Sequence, residues 1–172
     1  IKLATPTDGE QVVNTPDAPN TMYVDLGGKS VNARAGEQVT AALIYKGNWM
    51  HGYVFLDKNN DGKFNAVVNE DFTLPAESEL MAFSFYGGDN NDNGKNSAGA
   101  QLSGQSRNTL NMPSFTLPDD LEPGIYRLRY KVDWNSIDPA GSLDASNPII
   151  GNGGGIVDVR LNIHGDNCLV ND

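Results

Sequence analysis

Asp57, Asn59 and Asp61 carry oxygen-bearing side chains at every second position, and Gly62 follows them directly. Lys63 then offers a backbone carbonyl, and Asn65 a further amide oxygen. Calcium takes six to eight oxygen ligands, and loops that wrap it draw them from alternate side chains plus a carbonyl, with a glycine at the sharp turn. The spacing therefore predicts a calcium loop, with the ion in a structural role. An EF-hand is excluded. The twelfth position is Val68, where a bidentate glutamate belongs, and the flank Gly52–Asp57 (GYVFLD) reads as strand rather than helix. Glu70 and Asp71 are the carboxylates expected to close a slightly longer loop. The competing reading is a polar turn in which Asp57 and Asn59 bond their own backbone. A weaker echo, Asp89 to Gly94, has no carboxylate following within reach and reads as an exposed loop.

Ligand chemistry other than metal falls to the aromatic residues. Trp49, in the loop-like KGNWMHG stretch beside His51, offers an indole for stacking on a sugar face. Trp134, next to Asp133 and Asn135, offers the aromatic-plus-polar mixture that carbohydrate sites use. Alternation along its strand also assigns Trp134 to the core side. The two histidines, His51 and His164, have no serine or cysteine marked as a partner. No hydrolase elbow, zinc-protease helix motif or phosphate-cradling glycine loop is present. Glycoside hydrolysis needs only two suitably spaced carboxylates, and among 22 acidic residues chance pairs are certain. No catalytic residue is assigned.

These residues must be positioned by strands, because no stretch shows helical amphipathicity. In GIYRLRYKVDW, Tyr126, Leu128, Tyr130, Val132 and Trp134 alternate with Arg127, Arg129, Lys131 and Asp133. In GIVDVRLNIH, Val157, Val159, Leu161 and Ile163 alternate with Asp158, Arg160, Asn162 and His164. Such a period puts one set in the core and the other in solvent. Further strands are predicted over 38–45, 52–57 and 80–86, with shorter ones over 22–26, 31–34, 71–74 and 114–117. Turn-forming Gly, Pro, Asn and Asp clusters separate them. About eight strands without a helix predict an all-β fold, an antiparallel β-sandwich of Ig-like or jelly-roll type, with an antiparallel barrel as the alternative. Residues 1–20 read as an irregular lead-in, 21–165 as one β-sandwich domain and 166–172 as a polar tail. The segments 87–108 and 136–155 read as long irregular loops.

The chain of 172 residues carries a formal charge of −10. An acidic surface disfavours nucleic acid and anionic membranes as partners and suits a soluble, cation-recruiting protein. No apolar run is long enough for a membrane span. Cys168 is the single cysteine, so no internal disulfide forms and no zinc site is implied. The chain opens at Ile1 in polar, proline-containing sequence, as a processed or truncated chain would.

FLDKNNDGKFNAVVNEDF resembles the loop of the GEVED-type β-sandwich modules of secreted bacterial proteins, in which an apolar strand enters a D-x-N-x-D-G turn and a later Glu follows. GIYRLRYKVDW resembles the G-x-x-R-x-R-V strand of those modules, and GGGIVDVRLNIH stands where their closing acidic strand falls. The name-giving acidic motif is replaced by Gly153–Asp158, so the likeness, over residues 50–164, is to a divergent relative. It implies an accessory module of secreted or cell-surface proteins of Bacteroidetes-like bacteria. The expectation is a non-catalytic, monomeric binding or adhesion module for a glycan or a cell-surface protein. A carboxylate-dependent glycoside hydrolase and a purely structural spacer are the alternatives.

Overall fold

A computed structural model describes residues 1–12, 23–44, 50–85, 94–99, 101–102, 109–134, 137–140 and 154–165. Among them there is no helix. Twelve strands are formed: β1 (Lys2–Thr5), β2 (Gly9–Val12), β3 (Tyr23–Ala33), β4 (Gln38–Ile44), β5 (His51–Leu56), β6 (Leu80–Ser84), β7 (Gly94–Lys95), β8 (Gln101–Leu102), β9 (Thr109–Asn111), β10 (Phe115–Thr116), β11 (Gly124–Asp133) and β12 (Gly155–Ile163). One five-stranded sheet has the order β10-β4-β1-β2, with β9 also paired to β4. The other has the order β3-β12-β11-β5-β6, and β7 and β8 form a small hairpin of their own.

The two large sheets face each other across one apolar core, so the fold is a β-sandwich. Leu3, Val39, Leu43, Leu110 and Phe115 from the first sheet meet Val54, Leu56, Leu128, Tyr130, Val159 and Leu161 from the second. Every one of these positions follows the two-residue period of its strand, which is why the sandwich was legible from alternation. Burying an aliphatic side chain of this kind contributes about 1.5–3 kcal/mol before entropy is counted.

Three features depart from the sequence reading. Lys2–Thr5 and Gly9–Val12, expected as an irregular lead-in, are strands. β1 lies between β4 and β2, with Leu3 fully buried. Four-residue strands with a single core side chain leave too little pattern to read. The two strands read over 22–26 and 31–34 are replaced by a single one, β3 (Tyr23–Ala33), which pairs with β12 in parallel. A register shift between Val159 and Arg160 absorbs Gly27–Lys29 on the β3 side. Asp71–Leu74, expected as strand, is a turn in which Phe72 N donates to Asn69 O and Phe72 takes a positive φ of 66°.

The face of β5 and β6 that points away from the core is also covered. Tyr53, Phe55, Leu80 and Phe83 are buried there beneath Phe64, Ala66, Val68 and Leu74 of the β5–β6 connection. This second apolar layer explains why β5 reads as a continuous run, GYVFL, rather than an alternating one.

Candidate functional site

β5 ends at Leu56, whose N–H is taken by Glu79 O, and Asp57 N donates to Arg127 O. The chain therefore leaves the sheet with Asp57 still anchored and 3% exposed. The following residues curl around its carboxylate. Asp61 N donates to Asp57 Oδ1 at 3.2 Å and Gly62 N to Asp57 Oδ2 at 2.9 Å, while Asn59 Oδ1 also accepts from Asp61 N and Asp61 Oδ1 accepts from Lys63 N. Asn60 and Gly62 take positive φ values of 55° and 78°, the conformations Asn and Gly enter at least cost. Asp57, Asn59, Asp61, Lys63 and Asn65 are thus gathered into one loop.

Glu70 and Asp71 are not brought to it. The alternating Phe64, Ala66 and Val68 pack onto Tyr53 and Phe55, carrying the chain along the outer face of the sheet toward the opposite end of β5. There Phe72 meets Phe85 edge-on at 6.1 Å, and Phe85 in turn meets His51 at 5.5 Å. Asp71 instead accepts from the Thr73 N–H and hydroxyl, which hold its carboxyl below the usual range. The apolar triplet that makes Val68 a poor ligand is what displaces the two carboxylates.

The carboxylate beside the loop is Glu79, which the sequence reading did not select. Its Oε1 accepts from Lys58 N at 2.9 Å and its Oε2 from Asn65 N at 2.5 Å, so it ties both shoulders of the loop. Glu79 immediately precedes β6, and the antiparallel β5–β6 pairing sets it opposite the exit of β5. Only that pairing could have pointed to it. Lys58 donates to Ala76 O and Ser78 O. Burial lowers the pKa of its ammonium, against the pull of Glu79, Asp120 and Glu77. A cavity of about 380 Å³ opens here, lined in part by Asn59, Asp61, Asn65 and Glu79.

The donor chemistry fits a hard cation. Asp57 is buried, and among the described residues no cationic side chain is paired with it. Among the described residues no three His, Cys, Asp or Glu side chains are gathered closely enough to hold a metal by themselves. Amide and carbonyl oxygens of Asn59, Lys63 and Asn65 would therefore have to complete a shell begun by Asp57 and Asp61.

At the other end of the sheet lie the ligand-binding candidates. The antiparallel register pairs Asp133 with His51. Trp134, expected on the core side, is 55% exposed, whereas Lys131 and Asp133, expected in solvent, are buried. The reason is the covering of the outer face: residues 138–139 lie over β11, with Pro139 O accepting from Arg129 Nη1 and Asp138 O accepting from Lys131 Nζ. β11 ends at Asp133, so alternation no longer governs Trp134. His51 is half-buried, and that burial lowers its pKa against the opposing charge of Asp133 and a bond to the Trp134 backbone. Trp49 lies outside the described residues.

Asp158, also expected in solvent, is buried as well, closed over by Arg127, Arg129 and Tyr23. Its carboxylate accepts from Arg129 Nε and Nη2, Arg127 Nη1 and the Tyr23 hydroxyl. The Arg129 guanidinium is flanked by the Phe64 and Tyr23 rings at 4.9 and 5.6 Å. Burial alone would raise the Asp158 pKa; the arginine bonds outweigh it and the net direction is down. No protein-family model, no curated protein and no solved structure matches the chain.

Proposed function

We propose that the chain is a non-catalytic, extracellular binding module of the GEVED-like kind, with glycan as the ligand class and Trp134 as its principal contact. The observation that carries this reading is the exposed indole at the end of β11, beside a half-buried imidazole and above a buried charged pair. An indole left in water at the end of a rigid strand offers an apolar face for the C–H side of a sugar ring, with polar groups nearby for its hydroxyls. Among the described residues the four buried carboxylates Asp57, Glu79, Asp133 and Asp158 are each engaged by cations or backbone N–H groups. That arrangement favours binding over carboxylate-dependent hydrolysis.

In the same proposal the Asp57 loop is a structural calcium clip, supported by the buried Asp57 carboxylate, with which no cationic side chain is paired among the described residues, and by the all-oxygen donor set. The decisive experiment is a glycan array probed with the wild-type protein and Trp134→Ala. Saturable retention that disappears in the variant supports the binding module; retention of neither protein anywhere on the array favours a structural spacer and rejects it.

A further inference from the structure

Lys131 and Asp133 form an ion pair at 3.1 Å with both side chains almost wholly excluded from water. Buried pairs are poor sources of net stability, because desolving two charges costs about as much as their attraction returns, and their best-attested use is to select one arrangement among several. The remaining partners of this pair show which arrangement. Asp133 Oδ1 accepts from the backbone N–H of Trp134 at 2.5 Å. Lys131 Nζ donates to Asp138 O, on the stretch that returns over β11, and it lies 5.6 Å from the centre of the Tyr53 ring. Arg129, one step further along the same face, holds Pro139 O at 3.0 Å, and an Asx turn from Ala140 N to Asp138 Oδ1 shapes the return. The chain before Trp134 and the chain after it are therefore held by one ammonium.

We infer that the buried Lys131–Asp133 pair is a positioning device for Trp134, fastening the strand end to the returning segment 137–140 so that the indole is presented in a single orientation. The inference rests on the reading of Trp134 as the ligand contact and adds how that contact is pre-organised. A platform held rigid before binding loses less conformational freedom on association than a mobile one.

The test needs no ligand. In a Trp49→Phe background, Trp134 is the only indole, and time-resolved fluorescence anisotropy reads its local rotation. Removing one charge alone would leave the other buried and unpaired, so the variant is Lys131→Met with Asp133→Asn, checked for an unchanged far-ultraviolet spectrum and cooperative melting. The expected result is a folded protein whose indole loses its slow anisotropy component and whose Ala140 amide loses exchange protection. A folded double variant with the indole as rigid as before overturns the inference. Should that variant not fold, hydrogen exchange in the wild-type protein decides: a protected Trp134 amide is expected, and exchange at the unprotected rate overturns it. Failure of the glycan array with a rigid, Lys131-dependent indole would reject the ligand reading and leave the positioning intact.

Discussion

The carboxylate of Asp158 lies against the guanidinium of Arg129 through two bonds, Nε to Oδ1 at 2.8 Å and Nη2 to Oδ2 at 2.9 Å, with no part of the aspartate exposed. Removing one member of such a pair strands the other, at a cost of about 3–5 kcal/mol. Asp158→Ala is expected to lower the unfolding free energy, measured by urea denaturation, by that amount. Because the folded pKa of Asp158 is held below its ordinary 3.8, its contribution is complete above that value and is lost as pH falls through the folded pKa. Urea midpoints measured between pH 2 and 6 should drop steeply at the acid end in the wild type and more gently in the variant.

His51 gives a pH dependence in a different window. Its folded pKa lies below 6.5, so the unfolded chain takes up the proton first as pH falls. Stability should decline from pH 6.5 downward until the folded pKa is passed. His51→Phe, which keeps the edge-on contact with Phe85, is expected to flatten melting temperature against pH across that range.

Calcium should act on the Asp57 loop by mass action. At a hundredfold excess over its Kd, the ion would stabilise the fold by about 2.7 kcal/mol. The melting temperature is expected to rise with calcium, fall back on chelation, and become insensitive to both in an Asp57→Asn, Asp61→Asn double variant. Glu70→Gln and Asp71→Asn should leave the response unchanged, because those residues turn at the other end of the sheet. A wild-type melting curve indifferent to calcium would remove the clip.

Trp134→Ala should cost less than about 0.5 kcal/mol, as substitutions of exposed side chains outside the core usually do. A large loss of stability, measured by urea denaturation, would show that the indole is a packing residue after all.

Gly154 makes the opposite prediction. A methyl group there would lie 2.1 Å from the carbonyl oxygen of Val132 and 2.7 Å from Met50 Cε. The backbone oxygen cannot move aside cheaply, so Gly154→Ala is expected to destabilise by about 3 kcal/mol in the same assay. The glycine run 153–155 includes a position that only the smallest residue can occupy.

The inner faces of β11 and β12 were legible because Tyr126, Leu128, Tyr130, Val159, Leu161 and Ile163 keep a strict two-residue period against a single core. The outer faces were not. Alternation says which side chains share a face; it does not say whether that face is wet. Lys131 and Asp158 are polar and would sit in water were it not for partners outside their own run of sequence, Asp138 over Lys131 and Arg127, Arg129 and Tyr23 over Asp158. In the candidate metal loop, the local spacing from Asp57 to Asn65 carried the turn itself. The closing carboxylate depended on a strand pairing, and spacing along the chain pointed to Glu70 and Asp71 instead of Glu79.

β12, formed by residues 155–163, lies inside its sheet between β3 and β11. β3 is synthesised some 120 residues before β12, the one strand it pairs with among the described residues. Contacts of such sequence separation form late and slowly. The sheet cannot close until β12 has been made, and during translation β3 must wait as an unpaired edge, so folding of this sheet is expected to follow its synthesis rather than accompany it.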